Sequence, residues 1–124
     1  MSQAMVVDDS RTIRMILTRT LRDLGYQTIE AGNGVEAWTV LSKASQPLDL
    51  ILLDWNMPEM TGIEFLRKLR ADSRFDAVKL MMVTTETQVE QMVEALEAGA
   101  NEYVMKPFTR EVIEDKLRLM GQIQ

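Results

Sequence analysis

Five short apolar runs alternate along the chain with longer stretches in which apolar residues return every third or fourth position. The runs are AMVVD (4–8), YQTIEA (26–31), LDLILLD (48–54), KLMMVTT (79–85) and EYVMK (102–106), each of strand length. The spaced residues are Ile13, Leu17, Leu21 and Leu24; Trp38 and Leu41; Ile63, Leu66 and Leu69; Val89, Met92, Val93 and Leu96; and Ile113, Leu117 and Met120. They predict five amphipathic helices. Strict alternation of strand and helix argues for a parallel sheet, and nearly continuous apolar strands fit a sheet covered on both faces. The expected class is a doubly wound, flavodoxin-like α/β fold, (βα)5, with strand order 2-1-3-4-5.

Local punctuation agrees. Thr61 precedes Glu64, and Thr87 precedes Glu90, at capping-box spacing, and Asn33 precedes Glu36 in the same way. Gly25 and Gly99 stand where helix C-caps are expected, and Gly121 is expected to end the last helix. A chain of 124 residues is about one domain, so residues 1–124 are expected to form one unit without an attached output domain.

Composition narrows the chemistry. There is no cysteine and no histidine, which excludes disulfides, thiolate and imidazole metal sites, and histidine-dependent nucleophilic catalysis. A net charge of −5 with scattered Lys and Arg argues against nucleic acid as a partner. No apolar run is long enough to span a bilayer, and the start MSQAMVVDDS lacks the pattern of a signal peptide, so a cytoplasmic protein without a membrane partner is expected.

In a parallel sheet all strands point the same way, and their carboxyl ends share one edge, where ligands bind. Asp8 and Asp9 end the first run, Asp54 the third, Thr84 and Thr85 the fourth, and Lys106 the fifth. The order 2-1-3-4-5 makes the first and third strands neighbours, so three carboxylates should meet. An acid after a strand is often only a turn former or helix cap. Capping explains one acid per loop, but not acids, a hydroxyl and a lysine on the tips of separate strands. Three carboxylates repel unless a cation neutralises them, and an all-oxygen site selects a hard ion such as Mg²⁺. Beside that ion an ionised aspartate is a nucleophile toward phosphorus that needs no general base, and Asp54 is the best candidate. Lys106 would bind a phosphoryl oxygen.

VVDDS, LLDWNMP, MMVTTE and AGANEYVMKPF, with their spacing, resemble a response-regulator receiver domain of the single-domain chemotaxis (CheY-like) type. The likeness runs from about Ala4 to Met120. The strand order given above belongs to that family, so the order and the resemblance are one inference. The resemblance implies Asp54 as phosphoacceptor, Asp9 as a direct Mg²⁺ ligand, Asp8 acting mainly through water, and the Asn56 backbone carbonyl as a further ligand, with Mn²⁺ as the substitute ion. It implies that Lys106 contacts the phosphoryl group, that the Lys106–Pro107 bond is cis, and that Thr84 and Tyr103 form a switch pair. In that switch the hydroxyl moves to the phosphate and the ring swings inward. The implied output surface is the fourth helix, fifth strand and fifth helix, with Met92, Tyr103, Met105, Phe108 and Lys116 as candidates.

The implied function is a phosphorylation-activated switch, a regulatory phosphoacceptor and not an enzyme acting on other substrates. Its implied partners are a sensor histidine kinase, a downstream target such as the flagellar motor switch, and a phosphatase. Thr85 stands where the family often has a very small residue, and Glu86 and Asn56 occupy positions linked to autodephosphorylation. Three alternatives compete. A receiver could serve a non-chemotaxis relay or act as a phosphate sink. A Mg²⁺-dependent phosphatase of the haloacid-dehalogenase type also uses an Asp nucleophile, a Thr, a Lys and an acid pair. There, however, the nucleophile follows the first strand and a second Asp stands two residues on, where this chain has Asn56. Nucleotide binding is suggested by GNGVEA (32–37), but its context favours a turn with Asn33 as N-cap.

Overall fold

The computed structural model describes residues 2–44 and 47–124. Five strands, β1 (Gln3–Val7), β2 (Gln27–Ala31), β3 (Leu50–Leu53), β4 (Lys79–Thr84) and β5 (Glu102–Met105), alternate with five helices. These are α1 (Arg11–Asp23), α2 (Gly34–Lys43), α3 (Gly62–Arg70), α4 (Val89–Ala98) and α5 (Arg110–Leu119), with a 3-10 turn at Ser73–Phe75. The strands pair in parallel in the order β2-β1-β3-β4-β5. The expected class and order are both found.

Because side chains alternate across a strand, the sheet divides its apolar residues between two cores. Met5, Val7, Ile51, Leu53, Leu80 and Met82 face one way and pack with Phe65, Leu66 and Leu69 of α3, Leu41 of α2 and Ala95 of α4. Ala4, Val6, Leu50, Leu52, Met81 and Val83 face the other way, against Leu17 and Leu21 of α1 and Ile113 and Leu117 of α5. Each fully buried Leu or Ile contributes about 1.5–3 kcal/mol over leaving it exposed. The inner strands β1, β3 and β4, buried on both faces, are therefore firmly held, and Asp8, Asp54 and Thr84 stand at their tips.

The Thr61 capping box is present: Thr61 Oγ1 accepts from the Glu64 N–H at 3.3 Å and the Glu64 carboxylate accepts from the Thr61 N–H at 3.0 Å. Asn33 caps α2 as expected, its side chain accepting from the Glu36 N–H at 2.8 Å. The box expected at Thr87 is not formed. α4 begins at Val89 with Gln88 as its N-cap and no side-chain capping bond. Glu90 is thus one position too early in the helix to close a box with Thr87. Gly25 and Gly99 both take left-handed backbone, with φ of 99° and 115°.

Among the described residues, no helix is long and apolar enough to cross a membrane.

Candidate functional site

β1, β3 and β5 each end one residue before the polar group expected at the tip, and β4 ends on Thr84 itself, yet the ladder's hydrogen bonds continue past the strand ends. The Asp8 N–H donates to Ala31 O at 3.1 Å, the Asp54 N–H to Val7 O at 3.0 Å, and the Lys106 N–H to Thr84 O at 2.8 Å. These residues leave strand geometry only after their amides have been fixed, which holds their Cα positions to the rigidity of the sheet.

Carboxylate oxygens of Asp8, Asp9 and Asp54 lie within 4.8 Å of one another. Asp8 and Asp54 are 1% and 5% exposed, whereas Asp9 faces solvent. Lys106 Nζ donates to Asp8 Oδ2 at 2.8 Å and to Asp54 Oδ2 at 3.4 Å. Asp8 Oδ1 accepts from the Ser10 N–H at 2.8 Å, and Asp54 Oδ1 from the Asn56 N–H at 3.4 Å. Burial, and then the charge of Asp8, push the Asp54 carboxyl above the usual aspartate range, against the opposing pull of Lys106, the Thr84 hydroxyl and the Asn56 amide. Three carboxylates thus face one ammonium. This donor set fits a hard divalent cation, because it is entirely oxygen and carries more negative charge than Lys106 offsets.

The loop after β3 is shaped around Asp54. The Gly62 N–H donates to Trp55 O at 2.8 Å, and a Cβ on Gly62 would lie 2.8 Å from Trp55 Cα and overlap the carbonyl oxygen of Asp54. Only glycine lets α3 start so close to the acid. Asn56 reaches across to β4's loop, its Nδ2 donating to Glu86 Oε1 at 2.8 Å.

Thr84 is fully buried, and its hydroxyl accepts from the Glu86 N–H at 3.3 Å. Tyr103 is 7% exposed, packs in the α2–α3–α4 core, and donates its hydroxyl to Glu86 O at 2.9 Å. Its phenol is held above the ordinary value by burial, then by Glu86 and Asp54, so it stays a neutral donor. The ring is already inward in this structure, where the switch picture has it move in only on activation. The Lys106–Pro107 bond is cis. Thr85 is exposed and lines a groove of about 380 Å³ with Lys106, Phe108 and two α1 residues, Ile13 and Ile16.

Met92, Tyr103, Met105, Phe108 and Lys116 all line one groove of about 580 Å³ between α4, β5 and α5. Leu96 and Val112 extend its apolar floor, and Lys116 pairs with Glu102 at 3.0 Å at its edge. The GNGVEA turn closes on itself instead of forming an open cradle, with the Gly32 N–H donating to Glu36 Oε2 at 3.1 Å.

One residue at the site was not legible in the sequence. Arg14, on α1, donates through Nη1 to the Asp8 carbonyl at 2.6 Å and through Nε to Glu30 Oε1 at 3.1 Å. Its only sequence signal is a long cation one turn after the Ser10 cap, which reads as surface.

A family model described as response regulator receiver domain matches residues 4–118. Chemotaxis protein CheY1 of Helicobacter pylori (strain ATCC 700392 / 26695) is 45% identical over 117 residues, 94% of each chain. Chemotaxis protein CheY of Pseudomonas aeruginosa is 45% identical, with 91% of this chain and 90% of that protein covered. Among solved structures, the chemotaxis response regulator CheY4 of Vibrio cholerae superposes with a TM-score of 0.88 at 38% identity, covering 96% of this chain and 98% of that one.

Proposed function

This chain belongs to the response regulator receiver family, and from that membership we propose that it is a chemotaxis-type switch activated by phosphorylation of Asp54. Its relatives named as chemotaxis proteins support the pathway, and the site supports the chemistry. A sensor histidine kinase is the donor, and a target such as the flagellar motor switch reads the result in the cytoplasm. A phosphatase is a further partner in this reading.

The observation that carries the proposal is the meeting of Asp8, Asp9 and Asp54 within 4.8 Å, with Lys106 bridging two of them. Mg²⁺, or Mn²⁺ in its place, would be held by Asp9 and Asp54 directly, by Asp8 through water and by the Asn56 carbonyl. When bound it supplies positive charge to the carboxylates and to the oxygens of the incoming phosphoryl group. An Asp54 oxygen forms the new O–P bond as the P–N bond to the donor imidazole breaks, and the imidazole keeps the electron pair and takes a proton. Lys106 and the Thr84 hydroxyl then hold phosphoryl oxygens by charge-assisted bonds that exist only in the modified state.

Those new bonds bias a pre-existing equilibrium of the β4–α4 loop and of Tyr103. The inward ring hydrogen-bonded to Glu86 O is one member of that equilibrium, and phosphorylation raises its population. The groove between α4, β5 and α5 is then the reading surface. Incubation with a phosphorylated sensor kinase tests this: label should pass to the wild-type chain in Mg²⁺ and not to Asp54→Asn. Equal transfer to the variant would overturn the assignment.

A further inference from the structure

We propose that Arg14 is a positioning residue for the acid pair, setting the direction of the Asp9 carboxylate through the peptide that joins Asp8 to Asp9. The inference rests on the reading of Asp9 as a direct ligand of the divalent cation.

Asp8 is held at four points. Its N–H donates to Ala31 O at 3.1 Å, Oδ1 accepts from the Ser10 N–H at 2.8 Å, Oδ2 accepts from Lys106 at 2.8 Å, and its carbonyl accepts from Arg14 Nη1 at 2.6 Å. The first three fix the amide and side chain of Asp8. The fourth acts on the plane of the following peptide, which determines where Asp9 projects. Asp9 is exposed, so packing gives it little direction of its own.

The guanidinium is well placed to do this. Its Nε donates to Glu30 Oε1 at 3.1 Å, and its side chain is 18% exposed against 42% for Glu30. A Cβ on Gly32 would lie 3.6 Å from Nη1, so the turn after β2 closes over the group at ordinary contact distance. The start of α1 is fixed in turn, since the Arg14 N–H donates to Ser10 O at 3.0 Å. A rigid planar fork clasped between β2 and α1 thus presents one donor to one carbonyl. Lys106 differs in kind: it pairs with the carboxylates and competes with a cation, whereas Arg14 binds backbone and has its charge matched by Glu30.

A simple staple between α1 and β2 would affect stability alone. A nearby positive charge acting only by repulsion would weaken cation binding, and its removal would tighten it. Positioning gives the opposite sign.

Calorimetric titration with MgCl₂ at constant ionic strength separates these roles, with melting temperatures in EDTA as the check on folding. Arg14→Met should bind Mg²⁺ about tenfold more weakly than wild type, the scale seen when supporting groups around metal ligands are lost. Equal or tighter binding would overturn the proposal. Arg14→Lys keeps the charge but not the fork, and should weaken binding by about threefold; it carries the test if Arg14→Met does not melt cooperatively, and wild-type affinity in it would then overturn the proposal. Glu30→Gln leaves the Asp8 contact available and should stay within about twofold, well short of what a lost supporting group costs. A loss there as large as in Arg14→Met would assign the effect to the α1–β2 link and overturn the proposal. Absence of Mg²⁺ binding by the wild type would instead defeat the metal site itself, and this inference with it.

Discussion

Lys106 and Asp8 meet across 98 positions of sequence, with Nζ 2.8 Å from Oδ2 and side chains only 13% and 2% exposed. The pair ties the tip of β5 to the tip of β1 over the intervening Asp54. Removing the cation leaves a buried carboxylate without its partner. Lys106→Met in EDTA should therefore lose about 1–3 kcal/mol of unfolding free energy in urea. Mg²⁺ should restore more stability to this variant than it adds to wild type. Unchanged stability in EDTA would show that the pair is not the clamp described.

Asp54 carries the opposite expectation. Burial and Asp8 hold its carboxyl above the ordinary aspartate range. A carboxyl that binds its proton more tightly folded than unfolded costs stability once ionised; the cost is present above the folded value and vanishes as pH falls below the unfolded one. Asp54→Asn should melt higher than wild type at pH 7 in EDTA. The gap should close as pH is lowered through the carboxylate range, and narrow when Mg²⁺ is added at pH 7.

Two glycines separate crowding from backbone strain. Gly62→Ala puts a methyl into the carbonyl of Asp54, so the loop must move; a loss of about 3 kcal/mol or more in urea is expected, with impaired phosphorylation. Gly25 has open space around it but a φ of 99°. Gly25→Ala should cost only about 1–2 kcal/mol, the left-handed penalty, and leave phosphorylation unchanged.

Tyr103→Phe keeps the ring in the core and removes the bond to Glu86 O. A loss of about 0.5–1.5 kcal/mol is expected. Labelling of Asp54 by a small phosphodonor should not change, because the hydroxyl does not touch the carboxylates, while binding of the downstream target should weaken. A pull-down with and without beryllium fluoride measures that binding; equal capture of Tyr103→Phe and wild type would show that the bond to the β4–α4 loop plays no part in output.

The sequence was most legible where one residue's meaning follows from its place on an element. Asp8, Asp54, Thr84 and Lys106 could be found because a parallel sheet sends every strand end to one edge, and the strand order makes β1 and β3 neighbours. Thr61 and Thr87 carry the same spacing to a glutamate, and only Thr61 caps, because α4 starts at Val89 and shifts Glu90 out of register. Arg14 was invisible for a different reason. Its contacts are to a backbone carbonyl and to Glu30, 16 positions away on another strand, and no pattern of residue types encodes them. The inward position of Tyr103 is a matter of which member of an equilibrium the fold favours, which residue identity leaves open.

The most direct measurement is the intact mass of the protein after incubation with Mg²⁺ and a small acyl-phosphate donor, quenched in acid and followed by peptide mapping. The expected result is a gain of one phosphoryl group located on Asp54, abolished by EDTA and absent from Asp54→Asn. A mass that does not change, or equal labelling of wild type and Asp54→Asn, would contradict the assignment of Asp54 as the phosphoacceptor.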